Sequence, residues 1–112
     1  MSKRVFTYAE ALASFPRVRQ LTVGAVRQVE AVYQGVRGQA DAEARQAELE
    51  GAVQGIVEQW SERVIALGCE VKGLWLVDWD NGDGYFCWRY PEETISHFHG
   101  YEEGFAGRVP IH

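Results

Sequence analysis

Little in this 112-residue chain could staple it covalently or carry it through a lipid layer. It has two cysteines, Cys69 and Cys87, three prolines and one methionine. Two cysteines are too few for a disulfide framework, and their scarcity fits a reducing compartment, so a cytoplasmic location is expected. No apolar run approaches the ~18–20 residues that span a bilayer, so no membrane helix is expected. The start, Met1-Ser2-Lys3-Arg4-Val5-Phe6, is basic but lacks the apolar core of a secretory signal. No internal repeat or low-complexity linker divides the sequence, and residues 1–112 read as a single domain. What is abundant is hydrophobic residues, 46% of the chain, which at a net charge of −5 excludes a disordered polymer.

The charge is unevenly spread. Residues 1–40 carry six Lys and Arg against Glu10 and Glu30, a net +4. Residues 41–68 hold two Arg against six acids, and residues 69–112 hold three basic residues against eight acids, for −4 and −5. A protein that grips duplex phosphates needs one concentrated basic face. Here a weakly basic helical region adjoins an acidic one, which argues against nucleic acid as a partner.

The first 68 residues read as helical. Thr7-x-x-Glu10 has the reciprocal capping pattern of a helix start, and a short helix is expected from Tyr8 to about Ser14. Phe15-Pro16 should break it, with Ser14 capping a second helix from about 16 to 37. Val18, Leu21, Ala25, Val29, Val32 and Val36 put apolar side chains on one face of that helix. Gly38 and Asp41 mark a break. A third helix, about 42–67, carries Leu49, Val53, Ile56, Trp60, Val64 and Leu67 at steps of three and four, and Gly68 should stop it. The two long helices should form an antiparallel hairpin.

From Cys69 the pattern is β-like. Ten of the fourteen aromatic residues lie at or after Trp60, so the C-terminal half should supply much of the bulky core. Val71 to Trp79 and Tyr85 to Tyr90 read as strands around the turn cluster Asp80-Asn81-Gly82-Asp83-Gly84. Centring that turn on Asn81-Gly82 pairs Trp75 with Trp88 and Val77 with Phe86. A two-residue slip is the competing register. Thr94 to His99 reads as a third strand, and Gly100 to His112 as an ordered loop or irregular strand. The fold class is therefore α+β: a short N-terminal helix and a long helical hairpin, about 1–68, packed with a small antiparallel sheet, about 69–112.

The C-terminal third carries the strings Cys87-Trp88-Arg89, Ile95-Ser96-His97-Phe98-His99 and Glu102-Glu103-Gly104-Phe105-Ala106-Gly107-Arg108-Val109-Pro110. Together with Phe6 to Ala11, Phe15-Pro16 and Gly73 to Asp78, they resemble an uncharacterised bacterial family catalogued as domain of unknown function 2203. The resemblance covers nearly the whole chain and implies no activity. The matching positions are Cys87, Trp88, Arg89, His99, Gly104, Phe105, Gly107 and Arg108. The chain departs from the family pattern at His97 and across Trp79 to Gly84, so His97, Asp80 and Asp83 inherit no role from it.

Several groupings could carry chemistry. His97 and His99 share a strand face and, with Glu102 nearby and His112 at the end, could hold a divalent metal; the competing reading is one packed and one solvated imidazole. Asp78, Asp80 and Asp83 have the flavour of a calcium loop, but the third acid is displaced and no downstream Glu follows, which favours a hairpin turn. Cys87 could act as a thiolate only beside a base or cation such as His99 or Arg89; otherwise it is a small packing residue. Arg89 and Arg108 could hold an anion, or pair with Glu102, Glu103 or Asp78. A candidate ligand or anion site therefore comprises Cys87, Arg89, His99, Glu102 and Arg108. Catalytic residues are not identified and no cofactor is expected, with a divalent metal as the alternative.

The hairpin carries the last expectation. A helix of 25 residues is about 37 Å long, whereas a compact domain of this size has a radius of gyration near ~13 Å. Helices of that length overhang a small sheet, and a second copy would cover them. The sequence thus points to a non-catalytic, self-associating interaction or small-ligand-binding module of unknown specificity. The alternative is a metal- or anion-dependent enzyme built on the C-terminal Cys, Arg, His and Glu residues.

Overall fold

The computed structural model describes residues 4–36 and 45–111. Two helices, α1 (Tyr8–Val36) and α2 (Gln46–Ala66), precede five strands: β1 (Glu70–Gly73), β2 (Leu76–Asp80), β3 (Tyr85–Arg89), β4 (His97–His99) and β5 (Val109–Pro110). The strands pair in chain order as one antiparallel sheet, β1-β2-β3-β4-β5, with a single 3-10 turn at Phe105–Gly107 before β5. The α+β architecture and the order of helices before sheet are as expected. The Gly38 and Asp41 boundary lies outside the described residues.

Helix α1 starts where the capping pattern places it. The Thr7 amide donates to Glu10 Oε1 at 2.8 Å, and the Glu10 amide donates to Thr7 Oγ1 at 3.1 Å. The expected break at Pro16 does not occur. One helix runs from Tyr8 to Val36, with Pro16 inside it. The reason lies in what flanks the proline. Ala11, Phe15, Val18, Thr22 and Ala25 are all buried and lie at steps of four and three. That stripe is continuous only if the helix is, and its burial outweighs the ~3 kcal/mol cost of an internal proline. Ser14 does not cap a new helix: its hydroxyl donates to the Ala11 carbonyl and accepts the Trp79 indole N–H at 2.8 Å.

Helix α2 buries Leu49, Trp60 and Val64 from its expected stripe, with Val53 and Ile56 half-buried. The two helices are locked by a buried bond, Trp60 Nε1 donating to Thr22 Oγ1 at 2.8 Å. Thr22 in turn donates to the Val18 carbonyl, which satisfies both polar groups inside the core. Gly68, at φ +96°, ends the helix as expected.

The sheet lays one face on the helices. Phe15 meets Trp79 and Trp88 at centroid distances of 6.5 and 5.2 Å, and Tyr8 meets Phe86 at 5.3 Å. Three details differ from expectation. Val71 to Trp79 is not one strand but two, reversing at Leu74-Trp75. Trp75 sits at φ +58° there, and its ring packs edge-on against Trp60 at 4.9 Å. The β2–β3 register is the slipped one: Val77 faces Trp88 and Trp79 faces Phe86. A slip of two keeps each side chain on its face. It arises because the turn uses four residues, closed by the Asn81 amide on the Gly84 carbonyl and by Asp80 Oδ1 accepting the Gly82 amide. The third strand is shorter than expected, only His97–His99.

The molecule measures 51 × 28 × 24 Å with a radius of gyration of 16.2 Å, above the ~13 Å of a compact domain of this length. The helical hairpin thus projects beyond the sheet. Gly68 joins helix to sheet at a point where a Cβ would also run into the Arg4 side chain. Gly68→Ala is expected to lower stability by about 1–2 kcal/mol, read as a reduced urea midpoint; an unchanged midpoint would mean that the joint does not require a left-handed backbone.

Candidate functional site

Strand alternation turns a polar set of side chains away from the helices. These are Asp78 and Asp80 from β2, Tyr85, Cys87 and Arg89 from β3, and His97 and His99 from β4. Asp78 lies opposite Cys87 and Cys87 opposite His97, while Tyr85 faces His99. Gly84 allows β4 to approach closely, since a Cβ at that position would strike the His99 carbonyl. Residues 100–108 then fold back over this outer face.

At its centre is a buried contact. His99 Nε2 is 2.9 Å from Asp78 Oδ2, with the two side chains 4% and 0% exposed. His99 Nδ1 is 2.8 Å from the Gly100 carbonyl. A carbonyl only accepts, so Nδ1 carries a proton. A second proton therefore lies between Nε2 and Oδ2. The other carboxylate oxygen, Asp78 Oδ1, is buried and meets no N–H or O–H donor, and the carboxylate's remaining neighbour is the weakly donating Cys87 thiol. Burial pushes the Asp78 carboxyl up, against the opposing pull of the neighbouring Cys87 and His99.

Cys87 is fully buried beside this pair, and burial together with the Asp78 carboxylate pushes its thiol up to about 12. On its own it is a thiol and not the thiolate that a nucleophile requires. Arg108 Nη1 is 4.0 Å from its sulfur. Arg108 does not pair with Glu102, Glu103 or Asp78. It forms a two-pronged pair with Glu92, at 3.0 and 2.9 Å, and stacks on Phe105 at 4.1 Å. Arg89 reaches the same ring at 5.3 Å. The two guanidinium groups thus clamp Phe105, and Arg108 already has its carboxylate.

Beside the Asp78–His99 pair lies a cavity of about 340 Å³. Leu76 and Phe105 give it an apolar side, and Tyr85 and Tyr101 an aromatic one. Lys72, Glu102, Asp78 and His99 supply its polar groups. Tyr85 is held by its neighbours: its hydroxyl donates to Glu70 Oε1 at 3.1 Å, and Lys72 lies 4.4 Å from its ring centroid. Tyr101 packs edge-on against Tyr85 at 5.2 Å and donates to Asp80 Oδ1 at 2.7 Å. A cavity of about 190 Å³ between the helices, near Leu21 and Trp60, is lined by Arg and Gln but by no acid, thiol or imidazole.

The expected site residues are therefore only partly together. Cys87 and His99 meet; Glu102 lines the cavity rim; Arg89 and Arg108 hold Phe105 in place. His97 turns to Ser96 Oγ at 3.1 Å and lies 3.9 Å from Glu92, while His99 is committed to Asp78. His112 lies outside the described residues. Among the described residues, the metal-ligand types that converge are Asp78, Cys87 and His99, whose ligating atoms all lie within 4.8 Å of one another. Sequence reasoning missed Glu92 as the partner of Arg108, and it weighed Asp78 as a turn acid or an arginine partner but not as the partner of His99. The signal for Asp78 was a carboxylate placed by alternation on the face of Cys87, one strand away.

The chain belongs to the family described as Uncharacterized conserved protein (DUF2203), which it matches over residues 4–111. No curated protein and no solved structure matches it.

The Glu92–Arg108 clamp makes a pH-dependent prediction. Burial raises the Glu92 carboxyl, but the Arg108 guanidinium and the Arg89 amide outweigh it and hold the group below its ordinary range. A lowered folded value means stabilisation that is present above the unfolded value and lost as the pH falls through the folded one. Glu92→Gln is expected to cost ~1–3 kcal/mol at pH 7. The gap between variant and parent should close as the pH drops below about 4.5 towards the folded value. Urea melts across that range read it, and a gap independent of pH would contradict the clamp.

Proposed function

For this member of an uncharacterised family, we propose a non-catalytic small-ligand-binding module whose site is the cavity between the outer sheet face and residues 100–108. The observation that carries the reading is the buried Asp78–His99 pair bordering that cavity. Burying a carboxyl and an imidazole costs desolvation free energy, and an apolar pair of similar size would pack the sheet as well or better. Ionisable groups retained at such expense beside a cavity mark binding sites. A volume of about 340 Å³ falls at the small end of the ~300–1,000 Å³ that ligand sites occupy. The lining favours a small molecule with a flat apolar body, lodged against Leu76, Phe105 and the tyrosine rings, and a hydrogen-bonding head turned to Asp78 and His99.

Binding is favoured over catalysis by the state of the candidate groups. Cys87 is held as a thiol, Arg108 is engaged by Glu92, and the five residues expected to form an enzyme site do not share one open cleft. We place the protein in the cytoplasm, supported by two buried cysteines that are free thiols and by the lack of any helix, among the described residues, long and apolar enough to cross a membrane.

Self-association through the hairpin is a second proposal. It is supported by the 51 Å length of the molecule and by Val29, Val32 and Val53, which a single chain leaves half-buried. Light scattering is expected to give a dimer at micromolar concentration, and a monomer at high micromolar concentration would overturn it.

The ligand site is tested by a fragment screen using ligand-observed NMR. Flat, partly apolar fragments with a polar head are expected to bind the parent protein. Leu76→Trp, which fills the cavity from its half-buried rim, is expected to abolish binding while keeping the melting temperature within a few degrees. Fragments that bind the variant equally well, or a screen without binders, would overturn the reading.

A further inference from the structure

We infer that Asp78, Cys87 and His99 form a binding site for a divalent transition metal of zinc type. The inference stands on a different observation from the cavity: three metal-ligand types converge on a buried carboxylate whose Oδ1 meets no N–H or O–H donor and has only the Cys87 thiol beside it. A buried acceptor served by no more than a weak thiol donor calls for a specific explanation, and an ion is one of the few available. Around the Asp78 carboxylate the described chain offers one thiol and one imidazole, with one ligating atom from each residue within 4.8 Å of the others.

The geometry is close to what such an ion needs. Zinc takes oxygen and nitrogen at ~2.0–2.2 Å and sulfur at ~2.3 Å, so tetrahedral ligand atoms stand about 3.3–3.6 Å apart. His99 Nε2 and Asp78 Oδ2 are 2.9 Å apart, a few tenths short of that edge. The widest separation in the trio, at most 4.8 Å, exceeds it by about 1 Å. Small side-chain rotations on three adjacent strands therefore suffice. One carboxylate, one thiolate and one imidazole form a mixed O, S, N set, which suits zinc or cobalt and disfavours calcium or magnesium.

The surroundings match as well. A metal-bound histidine donates its other ring N–H to a carbonyl or carboxylate, which fixes the ring. His99 does this through Nδ1 to the Gly100 carbonyl, and it aims Nε2 at the trio. Arg108, pinned by Glu92, lies 4.0 Å from the Cys87 sulfur, where its charge favours a metal-bound thiolate. Three protein ligands leave one position open. Asp78 and His99 also line the 340 Å³ cavity, so a water or a ligand atom there can take that position.

The charge balance closes. Without metal, the Asp78–His99 contact holds one proton and Cys87 another. A dication that binds all three groups displaces both protons to solvent, and the buried cluster keeps the same net charge. No oxidant or further anion is required.

Cobalt titration of the full, untagged chain under reducing conditions tests the inference. The expected result is one cobalt per chain with a cysteine-thiolate charge-transfer band in the near ultraviolet, displaced by one equivalent of zinc. The band should persist in Cys69→Ala and vanish in Cys87→Ser. Asp78→Asn and His99→Gln should each weaken binding by at least ~10-fold. Calorimetry in buffers of different ionisation enthalpy should show two protons released per zinc. The parent titration is decisive even if a variant fails to fold: no thiolate band at millimolar cobalt overturns the site, as does a band that survives Cys87→Ser. The fragment screen reads the cavity separately, since fragments can bind there whether or not metal does.

Discussion

The contact between His99 Nε2 and Asp78 Oδ2, at 2.9 Å and sealed from solvent, constrains everything around it. A carboxylate cannot be left alone in such a place, and an imidazole bound on its other nitrogen to the Gly100 carbonyl can meet it in only one orientation. To bring the two together, β4 must lie tight against β3, which Gly84 permits. Residues 100–108 must close over the face, and the Glu92–Arg108–Phe105 stack holds them there. The outer face of the sheet is thus a small polar core in its own right, beneath a cover of its own.

The inner face obeys a different rule. Phe15, Trp79, Trp88, Val77 and Trp60 fill the space between sheet and helices, and each buried indole N–H finds an acceptor: Ser14 Oγ, Thr22 Oγ1 or the Glu92 carbonyl. Glu92 links the two layers. Its backbone carbonyl accepts the Trp88 indole while its carboxylate clamps Arg108. The aromatic layer can therefore carry stability while the opposite face holds costly ionisable groups.

Much of this was legible in the order of residues. The capping pair Thr7 and Glu10, the stripe from Leu49 to Leu67, the stop at Gly68 and the inward and outward alternation of β2 and β3 are local signals, and they read correctly. The misreadings at Pro16 and Trp75 share one cause, tertiary contacts that override local preference. Pro16 was expected to end a helix, but Phe15 and Val18 on either side of it are buried in the same core. Trp75 adopts a left-handed backbone that its type disfavours because its ring is taken up by Trp60. The site was half-legible. The motif around Cys87 and His99 stood out, but their common partner Asp78 comes from another strand, and Arg108 is neutralised by Glu92, sixteen residues earlier. Such pairings depend on register, which the turn at Asn81–Gly84 sets, and not on spacing along the chain.

The ion site proposed at Asp78, Cys87 and His99 can be examined in crystals. The most direct measurement is anomalous scattering at the zinc absorption edge from crystals grown with one equivalent of zinc. A single strong peak is expected between Asp78, Cys87 and His99, within bonding distance of all three. Crystals that diffract well and show no peak there, with the Asp78–His99 contact intact, would contradict it.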